Sequence, residues 1–299
     1  MKIGFVGLGK MGFNMAQHLL ECGHDLVVFD LSENAIASLA EKGAVASTSL
    51  QDLSAMLPSP RIIWLMVPAG VPVDKTLDTL SALLQPGDIV IDGGNSHYTD
   101  SEKRAQRLNE NGIYFLDAGT SGGLEGARRG ACIMVGGAKS AYDLVAPLLK
   151  DMCVENGYGY MGGSGSGHFA KMVHNGVEYG MMQAIGEGFN LLASSHHDFN
   201  LEEVSRVWAN GSVIRGWLMD LVVRAFQRDP KLEFLSGRIA DSGEGRWTVE
   251  AALEQEVSIP VIAASLFSRY RSRSEENLSD RVVSALRYEF GGHPFTEKP

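Results

Sequence analysis

The sequence predicts two domains in one chain: an α/β domain built on a doubly wound parallel sheet over residues 1–163, then an all-α domain over 164–299. Three observations carry this expectation. Short β-branched runs alternate with amphipathic stretches through about residue 160, and near-continuous apolar strands separated by helices indicate a parallel sheet covered on both faces. A glycine-rich passage at 157–167 then punctuates the chain, after which 168–192 holds no proline and takes helical spacing. Finally, 299 residues with 44% hydrophobic content suffice for two cores of ordinary size.

In chain order, the strand candidates are 2–6, 25–29, 61–66, 89–91 and 114–116. Gly7-Leu8-Gly9-Lys10-Met11-Gly12 follows the first strand and opens a helix, the context in which GxGxxG carries weight. The first glycine permits a tight turn, the second lets backbone N–H groups reach a pyrophosphate, and the third lets helix pack on strand. A purely structural glycine turn would read the same way. The second strand adds a discriminating residue: it ends in Asp30, about 20 residues beyond the glycines, where a carboxylate accepts from the ribose hydroxyls of NAD and repels the extra phosphate of NADP. Leu31-Ser32-Glu33 follows, with no arginine, so the expected cofactor is NAD on a Rossmann-type domain. Asp30 would also suit a helix N-cap, a role Ser32 can fill equally well. Beyond the domain boundary, 201–210, 213–227 and 279–290 carry helical periodicity, with breaks at Asp229-Pro230, 258–260 and Gly291-Gly292.

Three further passages carry candidate chemistry. Residues 91–96 (Ile-Asp-Gly-Gly-Asn-Ser) end a strand at the carboxyl edge, where doubly wound sheets bind ligands. Residues 117–123 (Asp-Ala-Gly-Thr-Ser-Gly-Gly) read as a small-residue loop able to cradle a carboxylate or hydroxyl. Each would equally serve as a plain turn. The third passage runs from Gly165 to Tyr179, where Lys171, His174, Asn175 and Glu178 recur at i, i+3, i+4 and i+7 and share one helix stripe. Lys171 and Glu178 are then roughly 10 Å apart along the axis. Such a stripe lining a cleft needs a polar ligand or mutual pairing; on a solvated face it needs neither.

These passages give the sequence a resemblance to the 6-phosphogluconate dehydrogenase family, within the wider β-hydroxyacid dehydrogenases. The 171–179 stretch, the 92–96 and 121–123 loops and the tail 287–295 (Arg-Tyr-Glu-Phe-Gly-Gly-His-Pro-Phe) carry it over nearly the whole chain. At about 300 residues the chain resembles the short class, lacking the duplicated helical domain of the long enzymes. Two departures stand out. Residues 241–248 (Asp-Ser-Gly-Glu-Gly-Arg-Trp-Thr) lack a lysine-containing loop of the long class, with Arg246 a candidate replacement as phosphate ligand, and Pro68 follows Val67 where the long class tends to have lysine beside the cofactor.

The resemblance implies oxidation of 6-phosphogluconate at C3, loss of CO₂ and formation of ribulose 5-phosphate with reduction of NAD. It implies Lys171 as general base and Glu178 as the acid that protonates the product. Asn95, Ser121, Gly122, Gly123, His174 and Asn175 would hold substrate hydroxyls and carboxylate, and Tyr179, Arg269, Arg287 and His293 the phosphate. Gly7, Leu8, Gly9, Lys10, Met11, Gly12, Asp30, Val67 and Asn95 would hold the cofactor. In the long enzymes the matching tail arginine and histidine enter the partner's site, so a homodimer or homotetramer is expected. Two rivals remain open at this level: a non-decarboxylating enzyme of the 3-hydroxyisobutyrate or tartronate semialdehyde type, and an NAD-sensing or scaffold protein.

Composition narrows the partners. A formal charge of −10 disfavours nucleic acid over most of the surface, so an anionic substrate needs a local basic pocket. Cys22, Cys132 and Cys153 are an odd count without CxxC spacing, which suits a reducing compartment and neither a disulfide framework nor a metal site. No signal peptide is recognisable at the N-terminus, and the apolar stretch at 62–73, broken by Pro68, Gly70 and Pro72, falls short of the ~20 residues that span a bilayer. A soluble, cytoplasmic protein without membrane partners is expected.

Overall fold

A computed structural model describes residues 1–274 and 277–291. The chain divides into two compact units, Met1–His174 and Asn175–Pro299. The first unit holds strands β1 (Lys2–Val6), β2 (Asp25–Phe29), β3 (Val45–Ala46), β4 (Ile62–Leu65), β5 (Ile89–Asp92), β6 (Tyr114–Ser121), β7 (Ala131–Gly137) and β8 (Cys153–Gly162). Between them run α1 (Lys10–Glu21), α2 (Glu33–Ala40), α3 (Leu50–Ala55), α4 (Val71–Ser81), α5 (Tyr98–Asn109), α6 (Gly123–Arg129) and α7 (Lys139–Met152), and α8 (Ser166–Ala193) begins in this unit. One sheet of order β3-β2-β1-β4-β5-β6-β7-β8 results, parallel except where β6 meets β7. The fold is the α/β, Rossmann-type arrangement the sequence predicts, followed by a helical unit.

Strand periodicity places the core on both faces. Ile3, Phe5, Leu26, Val28, Trp64, Ile89 and Ile91 pack on one side with α1 and α7, while Val6, Val27, Ile63, Leu65 and Val90 pack on the other with α3, α4 and α5. Helix starts follow from short polar caps: Ser32 Oγ accepts from Ala35 N at 3.3 Å and Ser49 Oγ from Asp52 N at 3.0 Å.

In the first unit, strands β3 and β7 are not foreseen by the sequence reading, and two passages depart from it. Residues 117–121, expected as loop, are strand: β6 continues to Ser121 and pairs antiparallel with β7 from Leu116↔Gly137 to Ser121↔Cys132. The small side chains that suggested a loop instead allow close approach, since a Cβ on Gly119 would lie 2.3 Å from Lys171 Cβ on α8. The glycine-rich passage is likewise mostly strand β8, where a Cβ on Gly157 would fall 2.9 Å from Ala131 O at a register shift between β7 and β8.

The second unit contains the rest of α8 with α9 (Leu201–Ala209), α10 (Trp217–Arg228), α11 (Glu244–Glu254), α12 (Pro260–Ser272) and α13 (Leu278–Gly291). Asn200 caps α9 through Glu203 N at 3.1 Å, and Pro260 opens α12 in a position that needs no N–H. Its core centres on Phe189, Met219 and Phe226, with the Phe189 ring 5.1 Å from Phe226 and 5.3 Å from Trp208. Helix α10 starts four residues later than its periodicity predicts, and Val213 is fully exposed. Among the described residues, no helix is long and apolar enough to cross a membrane.

Candidate active site

The glycine turn between β1 and α1 opens one side of a cleft of about 1060 Å³. Each glycine answers a separate steric demand. Gly7 takes φ +95° and a Cβ there would meet Met66 O at 2.5 Å, while a Cβ on Gly12 would stand 2.0 Å from Gly7 O. A Cβ on Gly9 would meet nothing within 4 Å. Gly9 therefore faces open space, and as N-cap of α1 it brings no side-chain cap. Asp30 bridges the turn to the next element: Oδ2 accepts from Leu8 N at 2.5 Å and Oδ1 from Ser32 N at 2.7 Å. Ser32 caps α2, so Asp30 does not serve as that helix's N-cap and instead braces the glycine turn.

Gly7, Gly9, Lys10, Met11, Gly12, Asp30, Val67 and Asn95 all line this cleft, as do Thr120 and Lys171. Leu8 is the exception among the expected cofactor residues: its side chain is buried and its amide is spent on Asp30. Val67-Pro68 follows β4 along the cleft, and Lys75 of α4 adds a cation there that the sequence reading missed. Its signal was available only from the fold, because α4 is brought against the cleft by the packing of Val73, Leu77 and Leu80.

At the cleft, Lys171 Nζ donates to Asn95 Oδ1 at 2.7 Å. Asn95 stands just beyond β5, and Lys171 on the second turn of α8. Ser121 Oγ lies 3.4 Å from His174 Nε2, so the end of β6 and the α8 stripe meet. Gly122 and Gly123 turn the chain into α6 at positive φ, +116° and +57°. The Thr120 hydroxyl is buried with no hydrogen-bond partner among the described residues; it is a polar group at the cleft that sequence spacing did not single out.

In the second unit, Asn175 Nδ2 donates to Glu244 Oε1 at 3.0 Å, and Glu178 is half-buried one turn further along α8. Tyr179 is 5% exposed, its hydroxyl donates to Asp241 Oδ1 at 3.1 Å, and the Arg269 guanidinium stacks 3.3 Å from its ring centroid. Burial pushes the Tyr179 phenol above its usual range. Gly245 is required by this packing, because a Cβ would approach Tyr179 Cε2 to 2.4 Å. Sequence reasoning missed Asp241 and Glu244, both inside the passage noted for Arg246. Arg246 itself is exposed and pairs with Glu250 at 3.4 Å along α11, and the group at Tyr179 is built from Asp241 and Arg269. Arg287 is exposed on α13 and has no hydrogen bond or ion pair to Tyr179 or Arg269 among the described residues; His293 lies outside them.

The sheet, the glycine turn and the cleft define an NAD(P)-binding protein of the Rossmann class. Residues 2–163 match the profile of the NAD binding domain of 6-phosphogluconate dehydrogenase, and residues 167–292 match that family's C-terminal domain. The chain belongs to the 6-phosphogluconate dehydrogenase family. It is 53% identical over 298 residues to the Bacillus subtilis protein YqeC, itself named only provisionally as a 6-phosphogluconate dehydrogenase, with 100% of both chains covered. It is 46% identical over 300 residues to the NAD(+)-dependent, decarboxylating 6-phosphogluconate dehydrogenase of Haloferax volcanii, covering 100% of this chain and 99% of that one. The Plasmodium falciparum 6-phosphogluconate dehydrogenase structure superposes with a TM-score of 0.85 at 28% identity, over 100% of this chain and 67% of that one.

Proposed function

We propose that this chain oxidises 6-phosphogluconate at C3 with NAD and releases C1 as CO₂ to give ribulose 5-phosphate. The observation that carries the reading is the Lys171–Asn95 hydrogen bond at the wall of the dinucleotide cleft. The relative of the same length in Haloferax volcanii, named as an NAD(+)-dependent decarboxylating enzyme, supports it. The glycine turn fits a dinucleotide because Gly9 is open where a pyrophosphate would approach. Asp30 favours NAD, since a further phosphate on the ribose would meet its carboxylate.

Bound NAD supplies the hydride acceptor. Lys171 accepts the proton of the C3 hydroxyl, and its ammonium then polarises the C3 ketone, so that electron density from the breaking C1–C2 bond flows towards that carbonyl as CO₂ leaves. Glu178 delivers the proton to the carbon that becomes C1 of the product. Asn95, Ser121, Gly122, Gly123, His174 and Asn175 orient hydroxyls and carboxylate, while Arg269, with Tyr179 and the tail residues Arg287 and His293, holds the phosphate. In this reading residues 1–163 form the dinucleotide-binding domain, residues 164–299 the substrate and oligomerisation domain, and the enzyme works in the cytoplasm as a homodimer or homotetramer.

The test is turnover by purified protein with 6-phosphogluconate and either NAD or NADP, following reduced cofactor and CO₂ together. One-to-one production with NAD is expected. Turnover confined to unphosphorylated 3-hydroxy acids, or none at all, would overturn the reading.

A further inference from the structure

Asp92 and Asp117 are register partners on β5 and β6, and both are 0% exposed. Burying two carboxylates side by side is strongly unfavourable unless each is compensated separately. Each is. Asp92 Oδ1 accepts from Gly94 N at 3.1 Å, and its Oδ2 accepts from Ser96 Oγ at 2.7 Å and Arg104 Nη1 at 3.5 Å. Arg104, itself buried, also donates to Ser96 Oγ at 3.1 Å and to Asp74 Oδ1 at 2.8 Å. Asp117 Oδ1 accepts from Gly165 N at 2.7 Å and its Oδ2 from His168 N at 2.8 Å, at the start of α8.

The two carboxylates thus grip the two segments whose side chains meet at the cleft. Asp92 folds the turn that carries Asn95, and Asp117 holds the end of α8 that carries Lys171. Glycines bring that helix into contact with the sheet: a Cβ on Gly136 would lie 2.6 Å from Gly167 N, and one on Gly167 only 2.4 Å from Asp117 O. Apolar residues at 92 and 117 would avoid the burial penalty, so what the carboxylates provide is placement. We infer that Asp92 and Asp117 are a pair of positioning residues that set the Lys171–Asn95 geometry, one from the loop side and one from the helix side. This rests on the reading of Lys171 as the base.

The experiment compares Asp92→Ala, Asp92→Asn, Asp117→Ala and Asp117→Asn with Lys171→Met and wild type. A displacement of about 1 Å can slow catalysis by about 10²-fold, so both Ala variants should lose at least about ten-fold in kcat at temperatures where they remain folded by circular dichroism. NAD affinity should stay close to wild type, the limbs of the kcat–pH profile should move, and the Asn variants should recover part of the rate. Independently of turnover, Lys171 should label faster with an amine reagent in all four variants, read by peptide mass spectrometry against exposed Lys139 as internal standard. Wild-type kcat and Lys171 labelling in the folded variants would overturn the pairing, and so would a lower kcat with unmoved pH limbs and labelling. Should the Ala variants fail to fold, the isosteric Asn variants decide by the same readouts, each having turned one acceptor into a donor. Substantial activity in Lys171→Met sinks the base reading itself, while the labelling still tests whether the carboxylates place Lys171.

Discussion

Asp30 joins local structure to the proposed preference for NAD. Its oxygens already hold Leu8 N and Ser32 N, which fixes the carboxylate beside the glycine turn. A phosphate brought there meets a repulsion on the order of 1–4 kcal/mol, depending on how far solvent screens it. Replacing Asp30 with Asn and Leu31, which is 95% exposed, with Arg should therefore shift the ratio of kcat/KM for NAD over NADP towards NADP by at least about ten-fold; an unchanged ratio would show that Asp30 does not select. For the groups proposed to react, Lys171→Met should abolish reduction of NAD. Glu178→Gln should leave appreciable oxidation and slow the later protonation by ~10²–10⁴-fold, seen as a lag of product behind reduced cofactor; equal, small losses in both variants would return the α8 stripe to a structural role. Burial makes one of the three thiols passive. Cys153 is pushed up to about 12 by desolvation, so at pH 7.5 iodoacetamide should modify the exposed Cys22 and Cys132 well before it.

Among the elements, the β1–turn–α1 unit has the least slack. The Cβ of Ala at position 12 would overlap Gly7 O at 2.0 Å, forcing α1 away from the strand at a cost of about 1–3 kcal/mol. Gly12→Ala should lower the melting temperature and weaken NAD binding, whereas Gly9→Ala, with no neighbour within 4 Å of the new Cβ, should leave the melting temperature alone and weaken NAD binding only. Equal melting losses in the two variants would contradict the division of labour between these glycines. At β6 and β8 the reading of small-residue and glycine-rich passages as breaks fails for one reason. Glycine and small residues are usual in loops, yet here they sit in strands because α8 and the neighbouring strand backbone come too close for side chains.

For the whole molecule, the proposal that sites are shared between copies turns on the tail. Leu278, Val283 and Leu286 on α13 are 66%, 58% and 56% exposed, and Arg287 follows them on the same helix. An apolar face of this kind favours burial against a second copy. If sites are shared, Lys171→Met and Arg287→Ala proteins, each nearly inactive, should regain part of the activity when refolded together, because some mixed oligomers carry one site with both residues intact. Mixtures as weak as their parents would exclude sharing.

By itself the sequence determined the α/β-then-α plan, the glycine turn with Asp30, and the α8 stripe that bears Lys171, His174, Asn175 and Glu178. All of these depend on short-range spacing, which a periodicity of 2 or 3.6 encodes directly. Only the tertiary structure decided that Lys171 Nζ meets Asn95 across 76 residues, that Tyr179 packs between Asp241, Arg269 and the bare backbone of Gly245, and that Arg246 pairs with Glu250 and not with that group. The same holds for Asp92 and Asp117, which in sequence are two unremarkable acids 25 positions apart and in the sheet are neighbours. Contacts of this kind are set by strand register and by how closely backbones approach, and neither leaves a local pattern in the chain.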